Sequence, residues 1–325
     1  MKQTKVFIDC DTGIDDAVAL AYALKTERLD VAGISTVCGN VPLETTTYNT
    51  LNLLELTGRK EIPLAKGAEK PLERELWDAA YIHGSNGLGG YKFQKETDKT
   101  PIGQPAWEAM YSVLCGEKEP LTILALAPLT NLALLLKKHP DAKEKIKEIV
   151  FMGGSLRTGN PTPVATFNVL ADPEAAKYVI GTKVPFVMCS LDCTRGSYFT
   201  EEDLKKIRGL NNPVSEMLME ALAFYIESTK KENSVDSRKK GIDVHDLCTV
   251  MYVTHPELFE GEQYFADVET KGELTTGFTL VDFEDNLKKP ADEKTVLFLK
   301  KVDREKLVQY FLNTLSAYGC PGREN

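Results

Sequence analysis

The segment Val6-Phe7-Ile8-Asp9-Cys10-Asp11-Thr12-Gly13-Ile14-Asp15-Asp16 carries four carboxylates directly after a short apolar run. The apolar run is typical of a buried strand, Gly13 permits a tight turn, and residues 15–25 have the apolar spacing of a helix. In open α/β sheets, ligands bind beyond the carboxyl ends of the strands. The segment therefore predicts an α/β fold with its functional site at the end of the first strand.

The four acidic side chains are too close together to be explained as ordinary surface charge. Carboxylates within eight residues repel one another, and burying them together costs free energy. A divalent cation would offset that cost, and an all-oxygen shell selects a hard ion such as Ca²⁺ or Mg²⁺ over Zn²⁺. A favourable interaction with a helix N-terminus explains Asp15 and Asp16 but not Asp9 and Asp11. The cluster thus indicates a metal site or a catalytic site.

The rest of the chain alternates short apolar runs with amphipathic segments, which is the pattern of βαβ units on a mainly parallel sheet flanked by helices. We predict strands at residues 6–10, 31–37, 62–65, 122–127, 148–152 and 184–191, and helices at 15–25, 43–56, 105–114, 129–138 and 173–180. Beyond residue 200 the pattern is mostly helical to residue 254, followed by strands at 264–269, 275–282 and 295–302 and a helix at 304–318. Residues 1–325 are therefore predicted to form a single domain, with mobile active-site segments near 67–103 and 200–241.

Composition narrows the classes of function. The chain has 39 Lys and Arg against 48 Asp and Glu, and this net charge of −9 argues against nucleic-acid binding. Seven scattered cysteines, an odd number, favour reduced thiols over a disulfide framework. The most apolar stretch, 121–136, is interrupted by polar residues and by Pro128, so no membrane span is predicted. These features predict a cytoplasmic enzyme.

Taken together with motifs farther along the chain, the acidic segment resembles the signature of the inosine-uridine preferring nucleoside hydrolases. That signature, D-x-D-x-G-x-D-D, is matched by Asp9 to Asp16, and the likeness covers nearly the whole chain. The matching motifs, in order, are T-V-C-G-N (36–40), H-G (83–84), P-L-T-N (128–131), M-G-G (152–154), G-N (159–160), F-N (167–168), D-P-E-A (172–175) and H-D (245–246). The resemblance implies a Rossmann-like fold, hydrolysis of ribonucleosides to nucleobase and ribose, Ca²⁺ as cofactor, and a homodimer or homotetramer.

The resemblance also implies a role for individual residues. Asp11, Asp16 and Asp246 would hold Ca²⁺ by carboxylate and Leu126 by its backbone carbonyl, with Asp11 as the general base toward a calcium-bound water. His245 is the candidate proton donor to the leaving base. The residues implied to bind substrate are Asp15, Asn40, His83, Met152, Asn160, Thr166, Asn168 and Asp246. By residue type alone, Met152 fits a core position equally well, and Asn160 and Asn168 fit turns.

Thr166 departs from the family pattern. The family typically has Glu two residues before the Asn of an E-F-N motif, where this chain has Thr166-Phe167-Asn168. By the resemblance, that Glu would share the ribose 5′-hydroxyl with Asn160. Threonine is shorter and neutral, so we predict altered 5′ recognition and a preference shifted towards 5′-modified or atypical ribosides.

Two other functions stay open on sequence grounds. Asp9-x-Asp11 is also typical of haloacid-dehalogenase-type phosphohydrolases, in which the first Asp attacks phosphorus, although that family expects Thr or Val where Gly13 stands. A non-catalytic, calcium-dependent nucleoside or sugar binder is supported only by Thr166. The sequence does not rank purine against pyrimidine nucleosides.

Overall fold

The computed structural model describes residues 3–231 and 241–319. Its centre is an eight-stranded sheet in the order β3-β2-β1-β4-β5-β6-β12-β9. All neighbouring pairs are parallel except β12 and β9, which pair antiparallel at one edge. The mainly parallel α/β architecture predicted from the sequence is confirmed.

The strands of this sheet are β1 (Thr4–Cys10), β2 (Leu29–Thr36), β3 (Leu64–Lys66), β4 (Leu121–Ala125), β5 (Ile146–Met152), β6 (Phe186–Cys189), β9 (Phe259–Tyr264) and β12 (Val296–Val302). Two small antiparallel pairs lie outside it, β7 (Tyr198–Phe199) with β8 (Ile242–Asp243), and β10 (Ala266–Val268) with β11 (Thr279–Val281). All six strands predicted before residue 200 exist, and each end lies within two residues of its predicted position.

The helices are α1 (Ile14–Ala23), α2 (Leu43–Leu56), α3 (Ala80–His83), α4 (Ala106–Gly116), α5 (Thr130–Lys138), α6 (Phe167–Ala171), α7 (Pro173–Gly181), α8 (Leu191–Thr194), α9 (Glu201–Gly209), α10 (Pro213–Lys231), α11 (His245–Thr254) and α12 (Arg304–Leu315). Short 3₁₀ turns follow α5, α11 and β11. None of the helices in these described residues is both long and apolar enough to cross a bilayer.

Each face of the sheet packs against its own hydrophobic cluster. Val6 and Ile8 of β1 point to the cluster that includes α1, α10 and α11, whereas Phe7 points to the cluster that includes α4, α5 and α7. Burial on both faces is why the predicted strands are nearly continuous apolar runs rather than alternating ones.

The direction in which successive strands are added to the sheet reverses between β1 and β4. From β1 the chain moves outward to β2 and β3 and then returns to form β4 on the other side of β1. The connections on the two sides diverge there, which leaves a crevice at the carboxyl ends of these strands. The backbone nitrogen of Leu126, just past β4, donates to the carbonyl of Asp9 at 2.9 Å and fixes the two strand ends together.

The two segments predicted to be mobile lie beside this crevice. Segment 67–103 contains only α3 as regular structure and reaches α2 through Asn49, whose Nδ2 donates to the carbonyl of Asn86 at 2.9 Å. Segment 200–241 forms α9 and α10, and its residues 232–240 lie outside the described residues. The mobility of both segments stays a prediction. The six cysteines among the described residues are free thiols, and Cys320 lies outside them.

Candidate active site

A cavity of about 510 Å³ opens at the carboxyl ends of the central strands. Nine of the residues expected from the sequence line it: Asp15, Asn40, His83, Leu126, Met152, Asn160, Asn168, His245 and Asp246. Asp11 and Asp16 are fully buried in contact with this lining, and Thr166 is buried without lining the cavity. The structure therefore gathers residues from positions 11 to 246 of the chain into one place.

The cavity floor is a cluster of buried carboxylates. Asp15 and Asp16 lie in the first turn of α1 and Asp246 lies in the first turn of α11, and one oxygen of each is within 4.8 Å of the others. Burial, together with repulsion from Asp16, raises the pKa of Asp15 to about 7. Burial raises the pKa of Asp16 to about 6. Burial and the neighbouring charges of Asp15 and Asp16 raise the pKa of Asp246 well above its usual value.

Asp11 adds a fourth carboxylate to the floor. Its Oδ2 accepts a hydrogen bond from the backbone nitrogen of Asn40 at 2.7 Å. Its Oδ1 is buried and has no hydrogen-bond partner within the described part of the chain. Burial and the charge of Asp16 raise its pKa well above the usual value. An orphaned carboxylate oxygen beside three other acids is an arrangement that a hard cation would satisfy, so these residues fit a divalent metal ion.

Asp16 is held in a fixed orientation by donors around the turn. Its Oδ2 accepts from the backbone nitrogen of Gly13 at 3.0 Å and from Nδ2 of Asn40 at 2.9 Å, and its Oδ1 accepts from the backbone nitrogen of Asp11 at 3.2 Å. These bonds orient the carboxylate before any ligand binds. Asn40, predicted as a substrate residue, is thus also a structural partner of two acids.

Two glycines are required here by close packing. A Cβ at Gly13 would lie 2.7 Å from Nδ1 of His83, and a Cβ at Gly39 would lie 2.0 Å from Oδ2 of Asp11. The φ angle of Gly13 is −99°, which other residues also adopt. The chain does bend at Gly13 between β1 and α1, as predicted, but what requires glycine there is the close approach of His83 and Asn40.

Asp9 has a different role from the other acids of the segment. It is fully buried, and its Oδ1 accepts from Oγ of Ser35 at 2.5 Å and from Nδ2 of Asn131 at 2.8 Å. It does not line the cavity. Asp9 therefore connects β1 to β2 and α5 behind the site.

His83 faces the acids from α3. Its Nδ1 accepts a hydrogen bond from the backbone nitrogen of Ile14 at 3.0 Å, so the neutral ring carries its proton on Nε2. Burial, reinforced by His245, lowers its pKa to about 3. The ring stacks on Tyr225 of α10 with centroids 5.7 Å apart. His83 is consequently a neutral hydrogen-bond donor at physiological pH.

His245 begins α11 on the same side of the cavity. Its Nδ1 is 2.9 Å from Oγ1 of Thr194. Burial lowers its pKa to about 4, and the nearby Arg195 cation contributes. The ring of His245 is therefore neutral before substrate binds, and it can act as an acid only after it takes up a second proton.

The loop after β5 supplies the remaining wall. Nδ2 of Asn168 donates to the carbonyls of Leu126 at 2.6 Å and Met152 at 3.1 Å, and Oδ1 of Asn160 accepts from the backbone nitrogen of Phe167 at 2.9 Å. Oγ1 of Thr166 accepts from the backbone nitrogen of Gly154 at 3.0 Å. The hydroxyl of Thr166 is therefore directed to the protein backbone, in contrast to the substrate contact expected for it.

Arg195, Tyr225 and Asp243 also line the cavity and were missed in the sequence analysis. Arg195 follows a predicted strand by only a few residues, and its place beyond a carboxyl strand end was a usable signal. Asp243 lies two residues before the H-D motif at 245–246, and this closeness was a usable signal. Tyr225 has no local signal, because its position within α10 looks like any other core position.

Comparisons with known proteins agree on one family. The family model of the inosine-uridine preferring nucleoside hydrolases matches residues 6–309. The non-specific ribonucleoside hydrolase RihC of Escherichia coli O127:H6 is 43% identical over 294 residues, which are 90% of this chain and 93% of that protein.

Solved structures of similar proteins extend the likeness to the whole fold. The plant nucleoside hydrolase PpNRh1 superposes with a TM-score of 0.90 at 31% identity, covering 97% of this chain and 100% of the other. A purine-preferring ribonucleoside hydrolase from Gardnerella vaginalis gives a TM-score of 0.89 at 27% identity, with 97% and 99% covered.

Proposed function

The chain belongs to the inosine-uridine preferring nucleoside hydrolase family, and from this premise we propose that its cavity hydrolyses ribonucleosides with Asp11 as the base. The observation that carries the proposal is the unpartnered oxygen of Asp11, which lies among three further buried acids at the carboxyl ends of the central strands. Breaking an N-glycosidic bond builds positive charge on the ribosyl ring. Buried carboxylates stabilise that charge strongly, because little water screens them.

We propose Ca²⁺ as the resident ion. Asp11, Asp16 and Asp246 would hold it by carboxylate and Leu126 by its carbonyl, and Asp15 lies within reach of the same position. The all-oxygen donor set favours a hard cation. When bound, such an ion would neutralise the acids, lower the pKa of water and anchor vicinal hydroxyl groups.

The protein residues supply proton transfer and positioning. Asp11 would accept the proton of the attacking water, because its Oδ1 is free of other hydrogen bonds among the described residues. Asn160 and Asn168 would bind the ribose hydroxyls. His83 and His245 would face the leaving base, and His245 would donate the proton that a nucleobase needs on departure.

The phosphohydrolase alternative is excluded by the position of Asp9. That residue would have to attack phosphorus, yet it is fully buried, is hydrogen-bonded to Ser35 and Asn131, and does not line the cavity. The non-catalytic binder is left as one outcome of the experiment.

The experiment measures release of nucleobase and of reducing sugar by the purified chain in the presence of Ca²⁺. The substrates are inosine, guanosine, adenosine, uridine and cytidine. We expect turnover on at least one substrate, and a loss of at least about 10³-fold in kcat for Asp11→Asn. Asp30→Asn, an exposed acid at the far end of β2, is the matched control and should be unaffected. Nucleoside binding without turnover would establish a binder in place of an enzyme.

The metal assignment has its own test. Calorimetric titration of chelator-treated protein with Ca²⁺ should show one site per chain, with affinity lowered in Asp246→Asn but not in Asp30→Asn. Equal affinities in all three proteins would contradict the proposed ligand set.

We further propose a cytoplasmic homodimer or homotetramer, as the sequence resemblance implies. Sedimentation equilibrium of the purified chain gives the mass of the assembly, and a monomer would contradict this part of the proposal.

A further inference from the structure

We propose that Thr194 is a positioning residue of this site, whose hydroxyl holds the ring of His245 so that Nε2 is the nitrogen presented to the substrate. The inference rests on the proposed function, because it concerns the histidine proposed to donate a proton to the departing base. It adds a residue that does not line the cavity and that acts only through His245. The observation that carries it is the hydrogen bonding of one buried hydroxyl.

Thr194 connects the end of a central strand to the helix of the site. It is the last residue of α8, which follows β6 after one residue, and it is fully buried. Its Oγ1 lies 2.9 Å from Nδ1 of His245, the first residue of α11. Among the described residues this is the only hydrogen bond of that hydroxyl. The ring of His245 is therefore held from the side of β6.

Other threonines in or at the end of helices use their hydroxyls differently. Thr50, Thr57 and Thr229 each donate to the backbone carbonyl four residues earlier, at 2.7 Å. This local bond is the usual one for a threonine in a helix. The carbonyl four residues before Thr194 belongs to Ser190 and accepts only from the backbone nitrogen of Thr194 in the described structure. The hydroxyl of Thr194 is directed to the histidine instead.

The proton of this hydroxyl has one acceptor. A buried O–H group that donates to nothing is costly, and Nδ1 of His245 is its one partner among the described residues. The hydroxyl therefore donates to Nδ1. An ordinary imidazole is neutral at pH 8, and a neutral ring whose Nδ1 accepts carries its hydrogen on Nε2. Because His245 lines the cavity, Nε2 is the ring nitrogen left for a ligand.

His83 shows the same arrangement with a different donor. Its Nδ1 accepts from the backbone nitrogen of Ile14 at 3.0 Å, and its ring also lines the cavity. Both histidines thus use Nδ1 for the protein and leave Nε2 for the substrate. A backbone N–H can only donate, however, whereas a hydroxyl can rotate and accept. Thr194 can therefore stay paired with Nδ1 of His245 whether or not that nitrogen carries a hydrogen, and Ile14 cannot do the same for His83.

This property keeps His245 in one orientation through a proton transfer. A ring that has taken up its second proton from solvent gives the hydrogen on Nε2 to the base nitrogen and keeps the hydrogen on Nδ1. Oγ1 of Thr194 is the acceptor for the hydrogen that stays. No protein hydrogen bond has to be given up during the transfer, so the ring does not turn away from the base.

Kinetics on two ribosides test this role. Thr194→Val keeps the shape of the side chain and removes the hydroxyl, and it should lower kcat on inosine about tenfold while KM changes less than about twofold. On p-nitrophenyl riboside, whose leaving group needs no proton, kcat should change less than about twofold. Thr194→Ser restores a hydroxyl and should return kcat on inosine to within about threefold of the parent.

Thr57→Val is the matched control. Thr57 lies at the end of α2, its hydroxyl donates to the carbonyl of Leu53 at 2.7 Å, and it does not line the cavity. The substitution removes a hydroxyl from a helix end without touching a histidine. It should leave kcat on both ribosides unchanged.

A spectroscopic measurement on the parent does not depend on turnover. The chain has four histidines, so heteronuclear NMR spectra of the imidazole nitrogens can be assigned by comparison with His245→Asn. At pH 8 the parent should carry the hydrogen of His245 on Nε2, and Thr194→Val should show a mixture of the two tautomers. A hydrogen on Nδ1 in the parent would overturn the inference, whether or not the variants fold.

The outcomes separate this inference from the proposed function. Equal losses on inosine and p-nitrophenyl riboside in Thr194→Val, or equal losses in Thr194→Val and Thr194→Ser, would assign Thr194 to packing and overturn the inference. An unchanged kcat in Thr194→Val would overturn it too. Each of these results leaves the nucleoside hydrolase intact. No cleavage of any riboside by the parent would reject the proposed function, whereas the tautomer of His245 would still decide whether Thr194 positions the ring.

Discussion

The variant Asp9→Asn should gain stability relative to the parent as pH rises, when both proteins are free of metal. Asp9 is fully buried, and burial raises the pKa of its carboxyl from 3.8 to about 7. Asparagine keeps an oxygen for Ser35 and Asn131, whereas the second position, Oδ2, has no partner among the described residues for an amide to use. The replacement thus removes a titrating group and retains its main contacts.

The sign follows from proton binding. Between pH 3.8 and about 7 the unfolded chain has lost the proton of Asp9 and the folded chain keeps it. The free energy of unfolding therefore falls as pH rises through this window and is level above it. Each pH unit between the two pKa values is worth about 1.36 kcal/mol.

The free energy of unfolding of the parent should fall by about 4 kcal/mol over the whole window, and by about 3 kcal/mol between pH 5 and pH 8. The asparagine of Asp9→Asn does not titrate, so the difference in unfolding free energy between variant and parent should move by about 3 kcal/mol in favour of the variant over that pH range. The unpartnered amide costs about 1–3 kcal/mol at every pH and cancels from this comparison.

Urea unfolding followed by far-ultraviolet circular dichroism, at pH 5, 6, 7 and 8 with a chelator present, measures the effect. Asp30→Asn, on the exposed end of β2, is the control and should show no comparable trend. A difference between Asp9→Asn and parent that stays within about 0.5 kcal/mol from pH 5 to pH 8 would refute the reasoning. Adding Ca²⁺ should reduce the trend, because a cation among the acids favours the ionised form of Asp9.

Three further outcomes are expected from the same site. Removal of divalent ions with a chelator should abolish nucleoside turnover and lower the thermal midpoint at pH 8, and Ca²⁺ should restore both. Scanning calorimetry with a paired activity assay measures these changes. Unchanged turnover after chelation would contradict a metal role. His245→Ala should lower kcat on inosine by about 100-fold but kcat on p-nitrophenyl riboside by less than about fivefold, because p-nitrophenolate leaves without a proton; equal losses would deny His245 the role of acid. Removing the 5′-hydroxyl of inosine should cost the parent less than about tenfold in kcat/KM, and Thr166→Glu should increase that discrimination. A large loss with the parent would show that 5′-hydroxyl recognition is intact.

The sequence predicted the parts of the fold that repeat a simple physical pattern. The parallel strands are buried on both faces, and continuous apolar runs such as Val6–Cys10 identify them. Strand β9 was missed because it is an edge strand with the largely exposed sequence F-E-G-E-Q-Y, which lacks an apolar run. The strand predicted at 264–269 begins where β9 ends and is realised only as the short β10.

The site was predictable where charge density indicated it. Four acids within eight residues pointed to the floor of the cavity, and family motifs implied most of its walls. The difference between Asp9 and Asp11 was not predictable, because both follow the same strand and only the neighbours Ser35 and Asn131 distinguish them. Arg195 was missed although it follows a predicted strand by a few residues, because a single arginine is a weak signal until the loop beside it is placed.

The floor of the cavity joins Asp11, which lies near the start of the chain, to Asp246, which lies in its last third. At a synthesis rate of roughly 5–20 residues per second, about 10–50 s separate the appearance of these two side chains on the ribosome. During that interval Asp246 is absent from the acidic cluster, and the pocket is incomplete until α11 has been synthesised. A nascent chain halted before residue 246 should consequently bind the proposed calcium ion poorly, because one of the four carboxylates is still missing.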